Sequence, residues 1–273
     1  MRKEWNEIEI KFLKDNIQNL SFAQMAIHLD RTRSSVQLKC SKMGIKKSSK
    51  YFYDKDYFEK IDCEEKAYWL GFIAGDGYTA KSQRNAELGI ELNEMDYEHL
   101  KKFNKCLKGN VEVGFRQRFD ERTQKTYKTC FIRFYSNKLV DDLIKLGITP
   151  NKSLSICFPN IEQNYYIPFL RGYFDSNGCI QLNKKRNCCI KCDYASGSIE
   201  MINSLRKILL EYGINSYIIY EKTKNIRLCI NGMKNAFNFC NLIYKNSNIH
   251  LPRKYNKFYL LTDKCNIEQR INK

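Results

Sequence analysis

The sequence predicts an α+β protein. It should hold two pseudo-twofold-related half-units of order αββαββα behind a small three-helix head. Three observations predict this. From residue 64 onward the chain repeats itself at an offset of 101 to 102 residues. Within each copy the apolar residues switch between helix and strand periods. The first 45 residues show helical spacing punctuated by turn residues. The expected boundaries are 1–48 for the head, 49–63 for a linker, 64–160 for the first half-unit and 161–273 for the second.

In the head, Trp5, Ile8, Phe12 and Leu13 mark a first helix, broken at 16–19. Ser21 is a candidate N-cap for a second helix, Phe22 to Leu29. Asp30, Arg31 and Thr32 make a turn. A third helix, Arg33 to Met43, is polar and basic, and Gly44 ends it. Two helices with a tight turn before a basic one fit a helix-turn-helix, with Arg33, Gln37 and Lys39 able to reach phosphates or base edges. The segment LDRTRSSVQLKCSKMGI (Leu29–Ile45) resembles Myb/SANT-like heads. Residues 46–62 have no clear period and read as a linker able to lie along DNA.

In the repeat, AYWLGFIAGDGYTA (Ala67–Ala80) answers to IPFLRGYFDSNGCI (Ile167–Ile180). Gly71 pairs with Gly172, Asp76 with Asn177, Gly77 with Gly178, Pro150 with Pro252 and Lys152 with Lys254. Leu88, Ile90 and Leu92 alternate with Glu87, Gly89 and Glu91, a strand pattern with one apolar face. Tyr97, Leu100, Phe103 and Leu107 trace a helix stripe, matched by Ile199, Ile202, Leu205 and Leu209. Val111, Val113, Phe115 and Phe119 alternate with Glu112, Arg116 and Arg118, and Arg133 lies in the following strand. Leu139, Leu143 and Leu146 mark a closing helix, while 217–220 and 226–230 are the late strands of the second copy.

Lys and Arg number 47 against 30 acids, a net charge of +17, which points to polyanionic partners. No run of about 18 apolar residues occurs, so no membrane span is expected. The charged N-terminus lacks a signal peptide's apolar run. The 12 cysteines then imply a reducing, cytoplasmic setting. Three histidines argue against an imidazole-based zinc enzyme. The cluster Cys188, Cys189 and Cys192 invites a zinc reading, but Cys188, Ile190, Cys192 and Tyr194 align with Ala86, Leu88, Ile90 and Leu92 as core strand positions.

Trp69-Leu70-Gly71-Phe72-Ile73-Ala74-Gly75-Asp76-Gly77 resembles the nine-residue signature of the LAGLIDADG homing endonucleases. Leu170 to Gly178 resembles its second copy, and the likeness covers about residues 64 to 262. Gly71 and Gly75 share a helix face, as do Gly172 and Ser176. Small residues at that spacing let two helix backbones approach closely. Gly77 and Gly178 are then expected to end their helices in the left-handed conformation.

The resemblance implies that the residue before each of these glycines holds a divalent metal, Mg²⁺ or Mn²⁺, over DNA. Asp76 fits, since a cation would relieve a carboxylate at a helix C-terminus. Asn177 departs from the family's acid and offers one neutral oxygen. Asp175, two residues back, lies on nearly the opposite face. Cleavage of both strands, nicking of one, and binding without cleavage all remain open. Lys152 and Lys254 match the basic residues the family often keeps near the scissile phosphate, or are plain surface lysines. Lys81, Arg84, Arg116, Arg118, Arg133, Lys184, Lys185, Arg186, Lys191, Lys222, Lys224 and Arg227 would line strands and hairpins against double-stranded DNA.

The resemblance further implies a monomer reading an asymmetric site, with an RNA maturase that aids splicing as an alternative. No splicing-module residues flank the chain. It reads as intron-encoded or free-standing, from a phage or bacterium or another AT-rich genome.

Overall fold

Each helix of the head begins on a side chain that satisfies its exposed amides. This is seen in the computed structural model, which describes residues 4–46, 50–83, 85–183, 189–222 and 225–265. Asn6 with Glu9 caps α1 (Glu7–Asn16), Ser21 with Gln24 caps α2 (Phe22–His28), and Thr32 caps α3 (Arg33–Lys42). Gly44, at φ +68°, stops the chain after α3. Leu13, Ile17, Met25, Ala26, Val36 and Cys40 form the core of this unit, Met1–Phe52. Arg31 grips Glu9 through Nε at 2.9 Å and Nη2 at 2.8 Å and lies 4.0 Å over the Trp5 ring. That fixes the entry of α1 against the turn before α3.

The second unit is Tyr53–Lys273. Residues 53–58, expected to be linker, are part of its packing: Tyr57 and Phe58 are buried, and the Tyr53 hydroxyl donates to the Tyr135 carbonyl at 2.7 Å. Their aromatic–acidic mixture hides any period, so only tertiary contact reveals them.

Two antiparallel four-stranded sheets follow the repeat. The first has order β1 (Gly77–Lys81), β2 (Ala86–Asn93), β4 (Lys125–Tyr135), β3 (Gly114–Asp120). The second has order β5 (Gly178–Asn183), β6 (Cys189–Ser196), β8 (Ile226–Ile230), β7 (Tyr217–Tyr220). Helices α5 (Tyr97–Cys106) and α6 (Asn137–Lys145) pack on the first sheet, and α8 (Ile199–Glu211) and α9 (Met233–Tyr244) on the second. The apolar positions of β2, Leu88, Ile90 and Leu92, point into the core, as do Cys192 and Tyr194 of β6. Strand β3 departs from expectation. It starts at Gly114, and Phe115 and Phe119 are 58% and 54% exposed, on an edge strand that has a neighbour on one side only.

Between the halves lie α4 (Glu64–Asp76) and α7 (Tyr166–Asn177), packed backbone to backbone. A Cβ on Gly71 would sit 2.1 Å from the Phe169 carbonyl oxygen, and one on Gly172 would sit 1.9 Å from that of Tyr68. Further along, a Cβ on Gly75 would meet Ser176 Oγ at 1.9 Å and Asn177 Cγ at 3.1 Å. The two helices therefore stay in register to their C-terminal ends.

Beneath the tips, a buried polar chain ties the halves. The Tyr68 hydroxyl of α4 donates to Asp175 of α7 at 2.8 Å; Tyr244 and the Leu251 amide, both at 2.6 Å, complete that carboxylate. Burial still pushes Asp175 up, to about 6. Tyr68 has one proton and gives it to Asp175, so His99, 2.9 Å from that oxygen, donates through Nε2. Its Nδ1 is buried with no partner among the described residues, and burial pushes the His99 pKa down to about 3.

Two outcomes follow. Gly172→Ala forces the helix pair apart and lowers stability by about 3 kcal/mol. Gly213→Ala is strained only by its φ of +71° in open space and loses about 1 kcal/mol; urea midpoints compare the two. The second outcome concerns acid. Unfolded His99 takes up a proton near 6.5, but the folded residue stays neutral to about 3, so stability is lost as pH falls through that window. Asp175 acts in the opposite sense between about 6 and 3.8. A His99→Gln chain, which keeps the Asp175 contribution and an amide donor for Tyr68, loses roughly 2 kcal/mol less than wild type between pH 7 and pH 5. Parallel urea melts at the two pH values check this.

Candidate nucleic-acid and metal site

The tips of α4 and α7 carry the two polar residues of the repeated motif, Asp76 and Asn177, both half-buried. The chain does not turn there through left-handed glycine. Gly77 and Gly178 have φ of −82° and −92°, and each helix runs straight into β1 or β5. Glycine is needed at both for space. A Cβ would meet Ile73 Cγ2 at 2.6 Å in one case and the Phe174 ring at 2.1 Å in the other.

Such helix ends leave carbonyls without amide partners, and two lysines supply the donors. Lys152 Nζ donates to the Gly77 carbonyl at 2.5 Å. Lys254 Nζ donates to those of Phe174, Ser176 and Gly178 at 2.7, 3.3 and 2.6 Å. Both side chains are buried rather than surface lysines, and burial pushes both ammonium groups down to about 8. Lys254 spends all three protons on carbonyls, while Lys152 spends one. Burial raises the Asp76 carboxyl, opposed by the positive charges of Lys254, Arg253 and Lys152. Asp175 is fully buried, its carboxylate taken up by Tyr68, Tyr244 and the Leu251 amide.

On the sheet face opposite the helices, the register sets Tyr78 beside Gly89, Gly89 beside Arg133, Glu91 beside Phe131 and Arg116 beside Thr129. Arg116 and Arg133 flank the Phe131 ring at 5.3 and 4.8 Å. Each is matched with a carboxylate: Arg116 with Glu91 at 3.3 Å and Arg133 with Glu87 at 3.4 Å. Arg118 lies on the same face, opposite Tyr127. In the second sheet Arg227 bridges Asp193 at 3.0 Å and Glu221 at 2.5 Å, and Lys191 lies opposite Gln181. Lys81 is paired with Asp141, and Lys222 is exposed. Arg84, Lys184, Lys185, Arg186 and Lys224 lie outside the described residues.

In the head, Arg33 and Gln37 are exposed on α3, and Lys39 lies 5.8 Å from the Trp5 ring. A cleft of about 1440 Å³ opens there, lined among others by Trp5, Arg31, Arg33, Leu38, Lys39 and Lys42. Sequence patterning pointed to the basic residues but missed their acidic partners Glu87, Glu91 and Asp193. It also missed the Asp96–Arg253 pair across the two halves. An acid within an alternating strand was the available signal for the first three; the last pair spans 157 residues and left none.

Comparison with known proteins bears on the fold. A family model described as a LAGLIDADG-like domain matches residues 164–244. By sequence, the chain is 26% identical over 178 residues to the ATP-dependent DNA helicase Hel308 of Methanocaldococcus jannaschii; the match takes 60% of this chain and 13% of the helicase. It is 25% identical to uncharacterized protein MJ0314 of the same organism, over 70% of this chain and 71% of that protein. Protein Lin1255/Lin1742 of Listeria innocua, also uncharacterized, is 24% identical over 83% of this chain and 98% of its own.

By structure, the homing endonuclease I-WcaI bound to its DNA recognition sequence superposes with a TM-score of 0.54 at 18% identity, over 74% of this chain and 91% of that one. The LAGLIDADG meganuclease I-AabMI bound to uncleaved DNA gives 0.52 at 12% identity, over the same shares. Residues 164–244 are thus similar to a LAGLIDADG-like domain, and the chain has the LAGLIDADG-like α+β fold, two four-stranded antiparallel sheets astride a helix pair, with N-terminal helices earlier in the sequence.

Proposed function

We propose that the chain is a site-specific endonuclease acting on double-stranded DNA with Mg²⁺ or Mn²⁺. The observation that carries this reading is the backbone-close pairing of α4 with α7, in which Gly75 abuts Ser176 and Asn177, so that the C-terminal ends bearing Asp76 and Asn177 lie together. The arginine-bearing sheet faces support a DNA partner, with Arg116, Arg118, Arg133 and Arg227 contacting phosphates or bases, as do Arg33, Gln37 and Lys39 of the head. With two half-units in one chain, a monomer suffices. No helix of the described residues is long and apolar enough to cross a membrane.

The donor set fits one hydrated Mg²⁺ or Mn²⁺. Asp76 and the amide oxygen of Asn177 would hold it, leaving the other positions to water and phosphate oxygens. Among the described residues no group of three or more His, Cys, Asp and Glu forms a protein-only cage. When bound, the ion lowers the pKa of an attacking water and offsets charge on the phosphate. Lys152, which makes one side-chain hydrogen bond among the described residues and whose ammonium burial draws down to about 8, orients that water or gives a proton to the leaving oxygen.

A second reading, a nickase, is favoured by one specific asymmetry. The second half-unit has an amide in place of the acid, and its lysine has all three protons on carbonyls.

The test uses a supercoiled plasmid carrying a site selected for binding from a random-sequence library. With Mg²⁺, linear product marks the double-strand endonuclease, open circle the nickase, and unchanged supercoil a binder without cleavage. Asp76→Ala abolishes either product, and Asn177→Asp shifts open circle toward linear. Product surviving in Asp76→Ala overturns the assignment.

A further inference from the structure

Arg253 stands at the start of α10 (Pro252–Cys265), next to Lys254, whose ammonium is bonded to the carbonyls on either side of Asn177. Its Nε reaches across to the first half-unit and meets both oxygens of Asp96, at 3.1 and 2.9 Å. Asp96 is buried, but the Arg253 side chain is 53% exposed. Its two terminal nitrogens make no hydrogen bond among the described residues. The guanidinium is therefore held by one edge and open along the other, the form in which arginine takes a phosphate. Its charge also bears on Asp76.

The pair occurs once. By the repeat, Asn151 stands in the place of Arg253 and Ser198 in the place of Asp96, so the site has one such cation rather than two. It comes from the element that carries Lys254 and is anchored on the first half-unit, between the halves of a site that has one acid instead of two. There a fixed positive charge can hold the phosphate that a second carboxylate-bound ion would otherwise neutralise.

We propose that Arg253, clamped by Asp96, is a phosphate-binding residue of the helix-pair tip, its free edge taking a non-bridging oxygen of the DNA backbone. This rests on the DNA-cleaving function proposed above.

The test needs no metal and no cleavage. Binding of a fluorescent 30-bp duplex carrying the selected site is measured against NaCl concentration in EDTA. Loss of one phosphate contact lowers the slope of log K against log [NaCl] by about 0.9. That is the result expected for Arg253→Gln, whereas Arg253→Lys and Asp96→Asn keep the wild-type slope. Thermal melts run beside it, since a purely structural ion pair lowers the melting temperature equally in Arg253→Gln and Asp96→Asn without moving either slope. A wild-type slope in Arg253→Gln, or equal slope losses in Arg253→Gln and Asp96→Asn, overturns the assignment of Arg253 and leaves the DNA reading standing. A wild-type chain whose binding is insensitive to salt overturns both.

Discussion

The close approach of two helix backbones at Gly71 and Gly172 is the constraint on which the rest of this molecule depends. No side chain separates α4 from α7 there, since the space a Cβ would need is held by the Phe169 and Tyr68 carbonyl oxygens. Helices this close must stay in register along their length, so their ends arrive together. Each end then launches the first strand of its own sheet, which fixes both sheets relative to the tips. Asp76, Asn177 and the two sheet faces owe their relation to one glycine contact, repeated by the pseudo-twofold.

Bringing two helix C-termini together concentrates unpaired carbonyls and partial negative charge in one place. The molecule answers with cations from elsewhere in the chain. Lys152 and Lys254 sit beneath the tips and bond the carbonyls that left-handed glycines would otherwise help to satisfy. This is why both helices pass directly into extended strands. It also explains why the lysines are buried, with their ammonium groups drawn down by burial toward neutrality. Asp175, with Tyr68, Tyr244 and the Leu251 amide, anchors the segment leading into Lys254. Helix packing, charge and chain path are thus one arrangement.

Much of this was legible in the sequence. The repeat, the glycine spacing and the alternation in β2 gave the element order and the paired tips, because short-range periods record which face of an element is buried. What period could not record is which distant group a side chain meets. Lys152 and Lys254 were recognisable as a matched pair, but their carbonyl partners were not. Phe115 and Phe119 followed an inward pattern on an edge strand that leaves them half exposed. Tyr57 and Phe58 had no period and are nonetheless in the core. Gly77 and Gly178 carried the mark of helix-ending glycines, yet steric room against Ile73 and Phe174 was the reason for them. Asp96 and Arg253 are local oddities until the fold joins them.

The asymmetry of the tips, a carboxylate facing an amide, sets what chemistry the site can support. On the proposed function, Asp76 alone supplies the charge that holds a divalent ion. Counting Mn²⁺ bound to the protein–duplex complex by electron paramagnetic resonance tests this most directly. The account predicts one tightly held ion per complex that is lost in Asp76→Asn; an ion retained in that variant contradicts it.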